Sequence, residues 1–318
     1  MAKIVASMAS SHAFALEDPA GWDAGRQRNR EMYARRYGVE PPEQPQVAEE
    51  TDQDLQTRYA RIRDGFAFLR RKLDEVKPEA LIFIGDDQNE NFKEDNIPQV
   101  AIYLGDDFVA RPRGSNTEPT RYACAPKLAE AILTESVESD IDMSSVRVLP
   151  DNVLLAHAFG PVLRIVDPEA KIPVIPLFVN AIHLPAPAAE RCYVYGEAIR
   201  RAVAGFNGVD RVAVYASGGL SHFTGGYPWR HYAGPFSYGA ISEDYDRWLL
   251  IKMAAGENHD LAGISSEDII ANGEIELRSW ITMFGAIGDA RPELLTYEPF
   301  YRGLMGQAVA CWDLDGSR

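Results

Sequence analysis

Three short polar clusters in this chain hold residues that could do chemistry together. Ser10-Ser11-His12 follows the apolar run 4–6. Gly85-Asp86-Asp87-Gln88-Asn89-Glu90-Asn91-Phe92 follows the run 81–84, and Ser217-Gly218-Gly219-Leu220-Ser221-His222 follows 212–216. An unperturbed imidazole titrates at about 6.5, so His12 and His222 can each trade a proton near neutral pH or bind a metal when neutral. Ligands of open α/β sheets bind beyond the carboxyl ends of the strands. His12, Asp87, Gln88 and His222 are therefore expected to converge, although taken singly a histidine behind a strand is more often a hydrogen-bonded turn residue. Glu276 is a fourth candidate. It adjoins Leu277, Trp280, Ile281 and Phe284, the i, i+3, i+4, i+7 stripe of a helix expected to open near Asn272-Gly273. A carboxylate turned toward a core must be paired, protonated or metal-bound. The alternative is an exposed first-turn glutamate favoured by the helix dipole.

These candidates need a scaffold. Runs rich in β-branched residues at 4–6, 81–84, 100–104, 146–149, 172–179 and 212–216 have the length and continuity of strands buried on both faces. Helical spacing over 53–76 (Leu55, Tyr59, Ile62, Phe66, Leu69, Leu73) and over 189–206 separates them. Alternation of this kind predicts an α/β fold with a central, mostly buried sheet flanked by helices. No repeat or composition shift divides residues 1–318, so one catalytic domain is expected, with a Pro-rich loop near 39–50 that includes Pro41, Pro42 and Pro45. The segment 223–238, rich in Gly, Tyr, Trp and Pro, is a candidate pocket wall.

Composition narrows the function. Hydrophobic residues make up 46% and charged ones 25%, which excludes disorder, collagen and coiled coil as the main theme. A net charge of −15 repels phosphate backbones and anionic membrane surfaces, so neither nucleic acid nor membrane is expected as a partner. Three scattered cysteines (Cys124, Cys192, Cys311) form no pair or zinc pattern and suit a cytoplasmic setting. No apolar run reaches the roughly 18 residues of a membrane span. The glycine pairs Gly218-Gly219 and Gly225-Gly226 lack a phosphate-loop context, and no nucleophile elbow is present.

In their order along the chain, these pieces resemble a known family. Ser10-Ser11-His12, Gly85-Asp86-Asp87, Asn96-Ile97-Pro98, His157, Pro176-Leu177-Phe178-Val179-Asn180 with Pro185, Pro187, Arg191 and Cys192, Gly218-Gly219-Leu220-Ser221-His222, and Glu274-Ile275-Glu276-Leu277 with Trp280 are similar to landmarks of the type II, LigB-like extradiol ring-cleaving dioxygenases. That family includes the catalytic subunit of protocatechuate 4,5-dioxygenase. The N-terminal part with its Pro-rich loop looks closer to the 3-O-methylgallate dioxygenases. The resemblance implies a LigB-like single domain, Fe(II) as cofactor with O2 as co-substrate, a small phenolic substrate of catechol type, and a homo-oligomer, most simply a C2 dimer. It implies His12 and Glu276 as metal ligands, His222 as acid/base, and His157 as a residue that orients substrate or ligand.

The pattern departs at one ligand. Where the family has Asp-His with Phe four residues on, this chain reads Asp87-Gln88 with Phe92. The expected metal set is therefore His12, Gln88 and Glu276, with Gln88 ligating through its amide oxygen. Asp87 or Glu90 swinging in, or His183 approaching from another strand end, are the alternatives. His183 by itself reads as a loop histidine packed between prolines, and His231 and His259 as surface residues. A different class of function also fits these residues: a redox-inactive hydrolase or lyase acting on an aromatic substrate through His222 and His157. A non-catalytic small-molecule binder is a third, against which the presence of Glu276 argues.

Overall fold

The computed structural model describes residues 1–12, 18–110, 118–149, 154–222 and 241–316. The aromatic segment 223–238, which contains Arg230 and His231, lies outside these residues. The described strands are β1 (Lys3–Ser10), β2 (Ala80–Gly85), β3 (Val100–Tyr103), β4 (Asp107–Ala110), β5 (Thr120–Ala123), β6 (Ser144–Val146), β7 (Val174–Val179), β8 (Arg211–Ser217), β9 (Leu294–Phe300) and β10 (Met305–Asp313). The helices are α1 (Trp22–Tyr37), α2 (Gln46–Glu49), α3 (Asp52–Val76), α4 (Pro126–Glu138), α5 (Gly160–Val166), α6 (Ala189–Gly205), α7 (Glu243–Ala255), α8 (Ser266–Ala271) and α9 (Leu277–Ile287).

Eight strands form one mixed sheet in the order β6-β3-β7-β2-β8-β1-β10-β9, while β4 and β5 pair separately. The middle of the large sheet, β7-β2-β8-β1, is parallel throughout. All six residues of β2 and of β7 are buried, which explains their unbroken apolar sequence. Alternation then assigns the faces. Leu81 and Phe83 join the layer of α3 and α5, whereas Ile82 and Ile84 join the layer of α6 and α9.

The strand expected over 146–149 is a three-residue edge strand ending at Val146, paired only with β3. The helix expected from Asn272-Gly273 is two elements. Asn272 ends α8, Gly273 turns with φ +69°, and α9 starts at Leu277 with Glu276 as its N-cap. The hairpin β9–β10 carries no recognisable run, yet β10 is buried along almost its whole length and lies antiparallel to β1. The Pro-rich loop is tied down: Arg30 donates to the carbonyls of Pro41 and Pro42, and Gln44 exchanges hydrogen bonds with the Ile241 backbone. Among the described residues no helix is long and apolar enough to cross a membrane.

Helix α3 is started by a reciprocal box, in which the Thr51 hydroxyl accepts from Asp54 N–H and the Asp54 carboxylate accepts from Thr51 N–H. Helix α9, the element that matters most for the site, is held by contact with α6. A Cβ placed on Gly285 would run into the Tyr193 carbonyl oxygen, and one on Gly196 into that of Thr282, so these glycines let the two backbones touch. Gly285→Ala should therefore lower the unfolding free energy by about 1–3 kcal/mol through overpacking, despite alanine's better helix propensity. Gly205→Ala, at a position with nothing within 4 Å of the added carbon, should leave it unchanged or raise it. Urea unfolding of the two variants checks this, and equal midpoints would refute it.

Candidate functional site

The carboxyl ends of β1, β2 and β8 are adjacent, and each delivers a side chain to one point. Strand β1 ends at Ser10 and leads to His12, β2 leads through Gly85 to Asp86 and Gln88, and β8 leads through Gly218 to His222. Glu276 arrives from the opposite direction, at the N-terminus of α9. It is only 1% exposed, which removes the alternative of a solvated first-turn glutamate. Glu276 Oε1 lies 3.7 Å from His12 Nε2, 3.4 Å from His222 Nε2 and 3.1 Å from Gln88 Nε2, while Oε2 accepts the Gly219 N–H at 2.9 Å. His12, Gln88 and His222 are thus brought together, with Glu276, whereas Asp87, expected at the same point, turns to the Asn91 and Phe92 N–H groups instead.

The loop after β8 is shaped for this contact. Gly218 has φ +140°, and a Cβ there would sit 2.8 Å from the Glu276 Cβ. Its carbonyl accepts the Trp280 indole N–H at 2.8 Å, so the stripe residue Trp280 fastens α9 to the loop. Beneath His222 lies a second buried carboxyl pair. Asp246 accepts the Ser221 N–H (2.9 Å), the Ser221 hydroxyl (2.8 Å) and the Tyr297 hydroxyl (2.5 Å). Burial, and then the charge of Asp246, push the Glu274 carboxyl well above the usual range.

Hydrogen bonds set the histidine tautomers. The Ser217 hydroxyl gives its proton to the Ala158 carbonyl at 2.5 Å, so it accepts from His12 Nδ1–H at 3.2 Å. Neutral His12 therefore turns an Nε2 lone pair toward Glu276, the form that binds a metal. His222 Nδ1–H donates to the Leu220 carbonyl at 2.9 Å, leaving Nε2 to face Glu276. Burial would depress His222, but the Glu276 charge and hydrogen bond outweigh it and hold its pKa at about 9. Burial likewise opposes the charge on Glu276, yet the Gly219 N–H and the positive charge that His12 and His222 carry when protonated keep its carboxyl well below the usual range.

His157 packs edge-on against His12, with ring centroids 4.9 Å apart. Glu90 holds it, with one carboxylate oxygen taking both the His157 N–H (2.9 Å) and Nδ1 (2.7 Å). Glu90 is thus engaged away from the centre. Asp87 is engaged too, capping the N–H groups of Asn91 and Phe92 at 2.7 and 3.1 Å. His183 lines a narrow crevice with Asp87, Phe92 and Pro98, and Arg191 stacks on Tyr195. His259 lies edge-on to Tyr193.

The residue the sequence reading passed over is Asp86. It is fully buried, and Gln88 Nε2 donates to its Oδ2 at 3.2 Å as well as to Glu276. His12, Asp86 and Glu276 each offer a ligand atom, and these lie within 4.8 Å of one another. Imidazole and carboxylate donors so placed fit a divalent first-row cation. Strand alternation was the available signal: 86 and 88 continue the parity of Ile82 and Ile84, the face toward α9.

Comparison with known proteins points to one family. A family model described as the catalytic LigB subunit of aromatic ring-opening dioxygenase matches residues 4–311. A 2,3-dihydroxyphenylpropionate/2,3-dihydroxicinnamic acid 1,2-dioxygenase of Klebsiella pneumoniae strain 342 is 30% identical over 157 residues, covering 48% of this chain and 46% of that protein. Its namesake in Paraburkholderia phymatum is 25% identical over 273 residues, covering 74% and 83%. A gallate dioxygenase of Pseudomonas putida is 37% identical over 86 residues, covering 26% and 24%. The chain thus spans about half the length of the Klebsiella relative.

The clamp beneath His222 is open to test. Asp246→Ala orphans three donors and should cost about 3 kcal/mol of stability or more, since each buried donor left unpaired costs roughly 1–3. Adding Tyr297→Phe removes one of those donors, so the double variant should cost less than the sum of the singles. Strict additivity in urea unfolding would show that the Tyr297–Asp246 bond contributes nothing.

Proposed function

This chain belongs to the family of the catalytic LigB subunit of aromatic ring-opening dioxygenases, and on that premise we propose that it opens the ring of a catechol-type phenol with O2 at a bound Fe(II), His222 serving as acid/base. The observation that carries this reading is the shared carboxylate. The imidazoles of His12 and His222 address the same Glu276 oxygen, one with the tautomer of a ligand and the other as a proton carrier. His12 and Glu276 would hold the iron, with Gln88 beside them. Bound Fe(II) would supply the centre at which the substrate's hydroxyls and O2 are brought together. The chain's residues do the rest. His222 Nε2 takes a proton from a substrate hydroxyl and later returns one. Once a cation shares the charge of Glu276, the pull that keeps His222 protonated weakens, and Nε2 can accept at neutral pH. His157, braced by Glu90, orients substrate from the His12 side. The reading includes a homodimer in a cytoplasmic setting and a substrate of the methoxylated or carboxylated phenol kind.

A second reading is favoured by one observation: His12 is the only histidine in the three-residue group that could hold a metal. A hydrolase or lyase acting on an aromatic compound through His222 and His157 would need no second imidazole ligand. Iron content of anaerobically purified protein and O2 uptake across a panel of catechols separate the two. Stoichiometric iron with one O2 consumed per ring opened supports the dioxygenase, whereas turnover without iron or O2 supports the other. His222→Ala should lower kcat about 10²–10⁴-fold while changing substrate binding far less, the usual worth of a general acid–base. A fall of less than about threefold would make His222 structural.

A further inference from the structure

We propose that Asp86 supplies the third protein ligand of the metal centre, so that a divalent cation of the Mn(II)/Fe(II) kind is held by His12, Asp86 and Glu276, with the Gln88 amide bracing the two carboxylates from outside. This deepens the dioxygenase reading and rests on it for the place of the metal, but not for its ligands. Four observations meet here. The three ligand atoms lie within 4.8 Å of one another, a little wider than the roughly 3–4.2 Å spanned by donors that share an ion at about 2.1 Å. Asp86 is completely buried, and its Oδ1 has no hydrogen-bond partner among the described residues. Its other oxygen takes the Gln88 amide, and that same amide nitrogen donates to Glu276 Oε1. The remaining acids of the segment are occupied elsewhere, Asp87 on backbone N–H groups and Glu90 on His157.

The electrostatics point the same way. Two carboxylates this close and this buried repel strongly, and one protonated imidazole, His222, with one neutral amide cannot balance both. A divalent cation can. An imidazole with two carboxylates and a dication is neutral overall, where two imidazoles and one carboxylate would leave a charge of +1. The oxygen-rich set also suits harder cations, so Mn(II) should bind well. In this arrangement Gln88 stands behind the ligands: its amide orients both carboxylates without touching the ion.

The test is anaerobic titration with Mn(II) alone, read by electron paramagnetic resonance and by the thermal shift that binding produces. Asp86→Asn keeps size and shape, and should weaken Mn(II) binding by more than about 100-fold. Gln88→Ala should weaken it by about 10-fold, the range for partners that orient a ligand. Wild-type binding in a folded Asp86→Asn, or a larger loss in Gln88→Ala than in Asp86→Asn, would overturn the assignment. If Asp86→Asn does not fold, the wild-type Mn(II) spectrum decides together with Gln88→Ala. One coupled nitrogen, from His12, with binding retained in Gln88→Ala upholds the set, while two nitrogens or lost binding refute it. Oxygen uptake is no part of the readout. Intact Mn(II) binding in a protein that opens no ring would therefore overturn the proposed reaction and leave this site standing.

Discussion

The carboxylate of Glu276 is buried at the N-terminus of α9, and an anion in that position is tolerable only because several other elements have been brought to it. The Gly219 N–H meets one oxygen, while two imidazoles and an amide surround the other. Each partner dictates backbone. Gly218 must lack a side chain where it passes Glu276, Trp280 must reach back to the Gly218 carbonyl, and α9 must lie close enough to α6 for glycines to touch. The sheet order follows from the same need, because β8 lies between β2 and β1, and only adjacent strand ends can deliver residues 12, 86, 88 and 222 to one carboxylate.

The region under His222 repeats this pattern at a second level. Asp246 on α7 gathers Ser221 from the loop and Tyr297 from β9, and Ser242 N–H completes the Ser221 hydroxyl at 2.8 Å. The loop that carries the proposed proton carrier is thus set by bonds on both sides, to Glu276 above and to Asp246 below. Fixed supports of this kind suit proton transfer, which depends on holding donor and acceptor within hydrogen-bond reach.

Much of this was legible in the sequence, and the limits have physical causes. Continuous apolar runs marked β2, β7 and β8 because strands buried on both faces have nothing polar to show. The stripe Leu277, Trp280, Ile281, Phe284 marked α9, but its start was read early because Asn272-Gly273 carries the chemistry of a helix boundary. It is one, for the end of α8. Strand β10 escaped because Gly306 and Gln307 break its run, and its place is fixed by pairing with β1 rather than by its own composition. At the site, His12, His222 and Glu276 stood out by residue type and position. Asp86 did not, since an aspartate after a strand looks like a turn former, and only the alternation of β2 tells Asp86 from Asp87.

The antiparallel seam between β1 and β10 bears on how the site comes into being. Ser11, next to His12, exchanges backbone and hydroxyl hydrogen bonds with Ala308, a partner 297 residues away. During synthesis the first strand must therefore wait, with one edge unsatisfied, until nearly the whole described chain has left the ribosome. Contacts that close loops of such length form late and slowly. A nascent chain therefore carries the His12 strand as an open edge until β10 arrives.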